Sequence, residues 1–520
     1  MIGIGQLGTK AALAAPHRAA LIAPDIGLAR TFGQLASRTD DLARALCGVF
    51  EAGRGHRVAA IARNSIELME LYLAAAKAGS LLFPLNWRFS AAQVTQALAD
   101  ATPAVVFYDS EFKTLVEEVR GTVDVAHWVE WTPGRHSEYE ELLEKAAATA
   151  SGIRLPDPSA LLHEPYLAIS TGGTTGIPKS AVHSQYSYGA ATFDYLAAAR
   201  VTSTDRYMML GQLFHVVGYM ALAYLGMGRP VVVATDFDAE DLLGVIEQEK
   251  VSGFFAIATM LPRLLNAAHD KGLDATSIRQ VEYGGAPTAE EVIRDAAATF
   301  ECDLMQAWGM TEFGPGTYSA PSVARAALAG ENVERLRSCG TAALFSELAI
   351  LDEAGRPVPH DGQTMGELCH RGPNNMIGYW NQPEETAEIL RDGWIHSGDG
   401  AAWDEDGHIF ILDRIKSMII SGGENIFPAE VERTLGNHPS IAEVVVVGVP
   451  HPDWGEVVKA TVVRRAGTDL SAEDVKTYVG EELASYKKPR IVEFLDELPM
   501  TPTGKVNRKL LRDAPLPEGI

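Results

Sequence analysis

The sequence predicts an α/β protein. It should have a large N-terminal domain of parallel, helix-layered sheets, a β subdomain, and a small α+β domain at the C-terminus. Three observations predict this. From residue 32 to beyond residue 300, short apolar runs alternate with segments of helical period, a pattern that builds parallel sheets with helices on their faces. After about Gly340 the apolar runs shorten and Gly/Asp turns multiply, as in Asp352-Glu353-Ala354-Gly355 and Asp404-Glu405-Asp406-Gly407, which reads as antiparallel strands. The last hundred residues or so mix helical and strand periods. A boundary is expected near Arg414 to Ser417, ahead of a Gly-Gly turn, giving domains 1–414 and 415–520.

The elements follow in order. Residues 66–78 carry the period of an amphipathic helix, and 81–85 and 104–108 those of strands. Residues 166–169 end a buried strand. The stretch 214–234 is the most apolar, but it contains His215, Arg229, Pro230 and several glycines. It therefore reads as buried helix, turn and strand, not as a membrane span. Strand 231–233, helix 239–250 and strand 253–257 form the next unit. Strand 280–283 runs into the turn Gly284-Gly285-Ala286-Pro287. Helix 288–300 opens with a capping box of Thr288 and Glu291, and strand 303–307 follows. In the C-terminal domain, helices are expected at 428–435 and 471–483, and strands at 442–449 and 457–463. No internal repeat is visible.

Composition excludes several classes. Of 520 residues, 47% are hydrophobic and 22% charged, ordinary values for a globular protein. The 44 Lys and Arg are outnumbered by 68 Asp and Glu, a net charge of −24. Nucleic acid as the main partner would need a basic surface. Four scattered cysteines (Cys47, Cys302, Cys339 and Cys369) show neither CxxC nor zinc spacing, so a reducing cytoplasm is the expected setting. The N-terminus lacks the basic start and apolar core of a signal peptide.

The richest segment is Ser170-Thr171-Gly172-Gly173-Thr174-Thr175-Gly176-Ile177-Pro178-Lys179-Ser180. Glycines let the backbone approach an anion, hydroxyls and N–H groups donate to it, and Lys179 adds charge. It is not the P-loop of nucleotide hydrolases. Pro178 stands where that motif has its glycine before lysine, and proline has no N–H to donate. A flexible surface turn is the plainer reading.

Four further segments are candidates. Glu312, in Trp308-Gly309-Met310-Thr311-Glu312, is expected just past a strand end. With a phosphate loop elsewhere it suits Mg²⁺, which binds through one or two carboxylates plus phosphates; a surface Glu is the alternative. Asp399 lies between Gly398 and Gly400 and could accept two ribose hydroxyls, or simply make an Asp-Gly turn. Arg414-Ile415-Lys416-Ser417 leads to Ser421-Gly422-Gly423, which suits a hinge, a tunnel wall or a plain tight turn. Lys505 sits on a proline-framed loop, Pro499-Met500-Thr501-Pro502-Thr503-Gly504-Lys505. It could be aimed at developing charge or be solvated.

Taken together and in order, these segments resemble the adenylate-forming superfamily: acyl- and aryl-CoA synthetases, adenylation domains of peptide synthetases and firefly-type luciferases. The resemblance runs from about Thr31 to Arg512. The family's loop reads Thr-Ser-Gly-Thr-Thr-Gly-x-Pro-Lys-Gly; here Gly172 replaces the serine and Ser180 the last glycine. The resemblance implies that Thr171 and Glu312 share Mg²⁺. The loop residues Thr171, Gly172, Gly173, Thr174, Thr175, Gly176 and Lys179 would cradle ATP phosphates. Gly285, Ala286, Pro287, Ala307, Trp308, Gly309, Met310 and Thr311 would flank adenine. Asp399 and Arg414 would hold the ribose, and Lys505 would be the catalytic lysine. Lys416 would mark the hinge, and Ser421, Gly422 and Gly423 would line the pantetheine channel of coenzyme A. A soluble, cytoplasmic ligase, compatible with a homodimer, is implied.

Gln212-Leu213-Phe214-His215 resembles the family's acid-pocket segment, with Gln212 in place of proline. His215 is implied to be a further catalytic-site residue. It stands where amino-acid-activating members carry an Asp for the substrate's ammonium group. Val216, Val217, Tyr219, Met220 and Tyr224 around it are apolar or aromatic, without an arginine. The implied substrate is therefore a hydrophobic carboxylic acid, fatty or aryl. The expected reaction makes acyl-AMP and pyrophosphate from ATP, then transfers the acyl group to the CoA thiol. Two alternatives stand beside it: delivery to a carrier protein in trans, and a catalytically silent nucleotide-binding homologue.

Overall fold

A computed structural model describes residues 3–149, 152–171, 179–272, 274–500 and 506–514. The chain divides into two compact units. One comprises Met1–Leu348 and His370–Ile395; the other comprises Ala349–Cys369 and His396–Ile520.

The first unit carries two large mixed sheets. In one, Tyr207–Met209, Gly253–Ile257, Gln280–Gly284 and Asp303–Met310 run parallel, with register partners Gly253↔Gln280 and Gln280↔Asp303. In the other, Arg57–Ile61, Leu81–Leu85, Val105–Asp109 and His127–Trp131 run parallel. Antiparallel pairs occur at edges, such as Ala19–Ala23 with Leu28–Thr31 and Asp303–Met310 with Gly314–Tyr318. Leu81–Leu85 and Val231–Val233 are buried along their length, which is why they read as unbroken apolar runs.

Two local expectations are corrected. The helix Ile66–Ala78 is not amphipathic in place, because every residue of it is buried. Its polar positions are paired instead of solvated. Glu70 accepts from Arg38 Nε at 2.6 Å and from Tyr139 OH at 2.7 Å. Lys77 Nζ donates to Asp40 at 2.6 Å and Thr39 at 2.7 Å. A buried charge survives only when so compensated. The helix expected from residue 288 begins later, as Glu290–Phe300, with Ala289 as N-cap and no side-chain capping bond. The lead-in stays extended after Pro287, so the Thr288–Glu291 capping box does not form.

Glu282, at the centre of the strand Gln280–Gly284, is fully buried. Its Oε1 accepts from Tyr195 OH at 2.6 Å and Gln280 Nε2 at 2.9 Å. Burial pushes its pKa up to about 8 from 4.5. The folded chain therefore holds a proton there that the unfolded chain releases above its own pKa. Stability should fall as pH rises from 4.5 toward 8. The amide of Glu282→Gln keeps the shape without titrating. Unfolding free energies of this variant, from denaturant titrations, should lack about 3 kcal/mol of the wild-type decline between about pH 5 and pH 8. Equal declines in both proteins would show that Glu282 is ionised in the fold.

In the second unit, Ile441–His451 and Gly455–Arg464 form a long antiparallel pair, and Ile491–Leu495 joins the latter in parallel. Helices Pro428–Gly436 and Ala472–Glu482 contribute Val431, Leu435, Val475 and Val479 to its core. Ser471 and Asp474 make a reciprocal capping box at the second helix. Among the described residues, no helix is long and apolar enough to cross a membrane. The four cysteines form no disulfide.

Candidate active site

The hairpin of Pro165–Ser170 and Ser180–Ser184 closes at Ser170↔Ser180. Just beyond, the Thr171 N–H donates to the Lys179 carbonyl at 2.7 Å. Thr171 and Lys179, the described ends of the candidate phosphate-binding segment, are thus fixed by this pairing. Of its candidates, Gly172, Gly173, Thr174, Thr175 and Gly176 lie outside the described residues.

A short strand, Gly378–Tyr379, pairs with the same hairpin as Gly378↔Val182 and Tyr379↔Ala181. That pairing puts Tyr379 beside the neck of the loop. Lys179 Nζ lies 5.2 Å from the centre of the Tyr379 ring, and Tyr379 OH donates to Glu312 Oε1 at 2.6 Å. Burial and the Glu312 carboxylate hold the phenol far above its ordinary pKa, so it stays a donor. Glu312 is only 6% exposed. Its carbonyl accepts from Met376 N–H at 2.7 Å. His183 Nε2 donates to the Thr311 carbonyl at 2.7 Å, and burial lowers this imidazole to about 4, so it is neutral. Glu312 is therefore not a loose surface carboxylate. Thr171 offers a hydroxyl and Glu312 a carboxylate, hard oxygen donors that suit Mg²⁺ together with phosphate oxygens.

Gly285, Ala286 and Pro287 are exposed where the strand Gln280–Gly284 ends. The neighbouring strand runs to Met310, further than expected, so Ala307, Trp308, Gly309 and Met310 lie within it. Thr311 and Glu312 follow directly. Ala307 is the register partner of Gly284. At Gly309 the pairing with Gly314–Tyr318 shifts register. A Cβ there would overlap the Gly314 carbonyl oxygen, so only glycine permits this approach. The sequence alone could not place the turn, because the strand continues through a residue that usually weakens strands.

The segment 212–215 forms a turn before the buried helix Gly218–Gly226. Gln212 is buried, and its Oε1 accepts from Trp87 Nε1 at 3.1 Å. The amide thus has a use that the family's proline could not serve. Leu213 N–H donates to Asn64 Oδ1 at 2.9 Å, and Tyr188 OH donates to the Val216 carbonyl at 2.9 Å. His215 is half-buried, its ring 4.5 Å from that of Phe214. Val216, Val217, Ile257 and Ala307 are only partly covered, although they pack on a fully buried cluster.

The remaining candidates belong to the second unit. Asp399 lies within the strand Trp394–Trp403, not in an Asp-Gly turn, and pairs Asp399↔Arg414 with Ile409–Arg414. Its carboxylate sits 2.6 Å from Arg414 Nε. Its N–H donates to Ser397 Oγ at 3.0 Å, and that hydroxyl donates to the Leu368 carbonyl at 2.5 Å. The Glu367 carboxylate accepts from Gly398 N–H at 3.0 Å, beside Asp399, while Gly398 adopts φ +70°. Lys416 is exposed in a single 3₁₀ turn, Ile415–Ser417. Ser421 pairs with Glu424, so Gly422 and Gly423 form a two-residue hairpin loop with φ of 61° and 87°. Lys505 lies outside the described residues. Tyr379, His183, Ser397 and Glu367 carried no signal in the sequence; strand pairing alone brings them to these positions.

A sequence profile described as AMP-binding enzyme matches residues 9–380, and one described as AMP-binding enzyme C-terminal domain matches residues 430–505. A feruloyl-CoA synthase of Amycolatopsis sp is 34% identical over 513 residues, 97% of each chain. A long-chain-fatty-acid–CoA ligase of Mycobacterium tuberculosis is 31% identical over 522 residues, covering 99% of this chain and 98% of the relative. The solved structure of o-succinylbenzoate CoA synthetase from Bacillus subtilis, in complex with its acyl-adenylate intermediate, superposes with a TM-score of 0.85 at 27% identity, covering 99% of both chains. The chain belongs to the AMP-binding enzyme family, with the fold of adenylate-forming ligases.

Proposed function

We propose that this protein converts a hydrophobic carboxylic acid, fatty or aryl, to its CoA thioester through an acyl-adenylate. As a member of its family it is an AMP-forming acid–thiol ligase that uses ATP, Mg²⁺ and CoA. The reading of the acid rests on one observation above the others: the half-buried His215 is followed by Val216 and Val217, apolar and only partly covered, which pack on the same buried core as Ile257 and Ala307. An apolar surround suits an apolar acid.

In this reading the loop of Thr171, Gly172, Gly173, Thr174, Thr175, Gly176 and Lys179 holds the ATP phosphates. Gly285, Ala286, Pro287 and residues 307–311 flank the adenine. Asp399 accepts from the ribose hydroxyls, with Arg414 orienting it. Mg²⁺, when bound, neutralises phosphate charge; Thr171 and Glu312 hold it. The substrate carboxylate attacks the α-phosphorus of ATP, the bond to pyrophosphate breaks, and acyl-AMP forms. Lys505 steadies carboxylate and phosphate as charge develops. The domain 415–520 then turns about Lys416, and Ser421, Gly422 and Gly423 line the path of the thiol. The CoA sulfur attacks the acyl carbon, loses its proton, and AMP leaves.

The test is pyrophosphate release with ATP and Mg²⁺ over fatty acids of graded length, benzoates, cinnamates, amino acids and dicarboxylates, each with and without CoA. One hydrophobic class should respond and yield AMP and acyl-CoA. Turnover confined to amino acids or dicarboxylates would overturn the apolar-acid reading, and pyrophosphate without thioester would point to a carrier protein.

Tyr379 gives a second expectation. Its hydrogen bond to one oxygen of Glu312 fixes the carboxylate's rotamer. Tyr379→Phe should weaken apparent Mg²⁺ affinity about fivefold, near 1 kcal/mol for one such bond, with little change in KM for the acid. The measurement is adenylation rate against Mg²⁺ at saturating ATP; an unchanged Mg²⁺ curve would remove Tyr379 from this role.

A further inference from the structure

Glu367 and Cys369 are two residues apart on the strand Gly366–Arg371, so their side chains leave one face of the sheet. The adjacent strand, Trp394–Trp403, presents His396 to them. His396 Nδ1 lies 2.7 Å from Glu367 Oε2 and 3.4 Å from Cys369 Sγ. One nitrogen, one sulfur and one oxygen thus fall within 4.8 Å of one another. Cys369 is fully buried, whereas the side chains of Glu367 and His396 are 26% and 17% exposed. Solvent can reach the two outer ligands, and the thiol forms the floor.

We propose that Glu367, Cys369 and His396 bind a soft divalent cation of the Zn²⁺ type. In a tetrahedral zinc site the sulfur and nitrogen ligands stand about 3.6 Å apart and the nitrogen and oxygen ligands about 3.4 Å, from bond lengths of about 2.3, 2.05 and 2.1 Å. The first separation is already met within a few tenths of an ångström. The second needs the Glu367–His396 hydrogen bond to open by less than about 1 Å. The cation takes the Nδ1 lone pair, the imidazole carrying its proton on Nε2, and displaces the proton of the thiol, so binding releases a proton. Water completes the four-coordinate shell. A thiolate and an imidazole select Zn²⁺ or Cd²⁺ over Mg²⁺, so the site is chemically distinct from the oxygen donors Thr171 and Glu312.

The site also touches the nucleotide machinery. Glu367 Oε1 accepts from Gly398 N–H, next to Asp399. If Asp399 holds the ribose, as proposed above, the bound cation also shifts ATP affinity. Cation binding itself does not rest on that reading.

The experiment titrates the full-length chain with Cd²⁺ and follows the ultraviolet thiolate-to-metal absorption, then measures Zn²⁺ binding by calorimetry. One equivalent should bind, the absorption should vanish in Cys369→Ser, and it should persist in Cys302→Ser. In His396→Ala, with the thiol retained, Cd²⁺ and Zn²⁺ affinities should fall at least about tenfold. Circular dichroism of the metal-free variants checks folding; should Cys369→Ser fail to fold, His396→Ala decides. An absorption unchanged in Cys369→Ser, affinities unchanged in His396→Ala, or no cation bound by the wild type would each overturn the site.

Discussion

Lys505→Ala should lower acyl-adenylate formation by at least about a hundredfold to a thousandfold, the usual cost of removing one preorganised group from developing charge. Thiolysis of a supplied acyl-adenylate should stay within a fewfold of wild type. The asymmetry follows from the proposed chemistry. In the first half-reaction two anions, a carboxylate and a polyphosphate, must meet, and a cation is needed between them. In the second, a thiol attacks a neutral acyl carbon and AMP departs, with no such pair to reconcile. Arginine at 505 would keep the charge but change its shape and reach, so Lys505→Arg should recover only part of the rate. Pyrophosphate release measures the first half, and acyl-CoA formation from synthetic acyl-adenylate the second. Equal losses in both would dissolve the assignment of Lys505 to the first step alone.

Lys416→Pro should do the reverse. Lys416 lies in the one-turn segment Ile415–Ser417, exposed and immediately after the strand Ile409–Arg414. Proline holds φ near about −65°, a value within the 3₁₀ range, so the observed conformation is accessible while rotation about that bond is lost. With the hinge fixed, adenylation should persist and thioester formation should fall about a hundredfold, the scale of a small misplacement at a reacting centre. The comparison is a stopped-flow measurement of pyrophosphate release beside steady-state acyl-CoA production. A variant that makes acyl-CoA at the normal rate would show that no turn at Lys416 is needed.

Much of the architecture was legible because it is written locally. Apolar runs at 81–85, 231–233 and 253–257 coincide with the strands Leu81–Leu85, Val231–Val233 and Gly253–Ile257. The doubled glycine at 422–423 is a two-residue hairpin loop, for which its freedom of φ suits it. Locality also explains the misses. The period of 66–78 does describe a helix, but whether its polar face meets water depends on Arg38 and Tyr139, which arrive from distant segments. Asp399 is flanked by glycines, as a turn would be, yet pairing with Arg414 draws it into a strand. No pattern near Tyr379 announces that its phenol will meet Glu312.

By itself, then, the sequence determined which chemical groups the chain carries, their order, and the local shapes that glycine, proline and apolar periodicity impose. It determined the family, because several short segments in a set order are a property of the chain and not of its packing. The tertiary structure decided which groups touch and what state they are in: a protonated Glu282, a neutral His183, a Glu312 held by Tyr379, and a thiol set against His396 and Glu367. These depend on register and burial. A shift of one residue in a strand turns every side chain to the other face, and loss of water moves a pKa by several units. Neither is encoded within any single stretch of the chain.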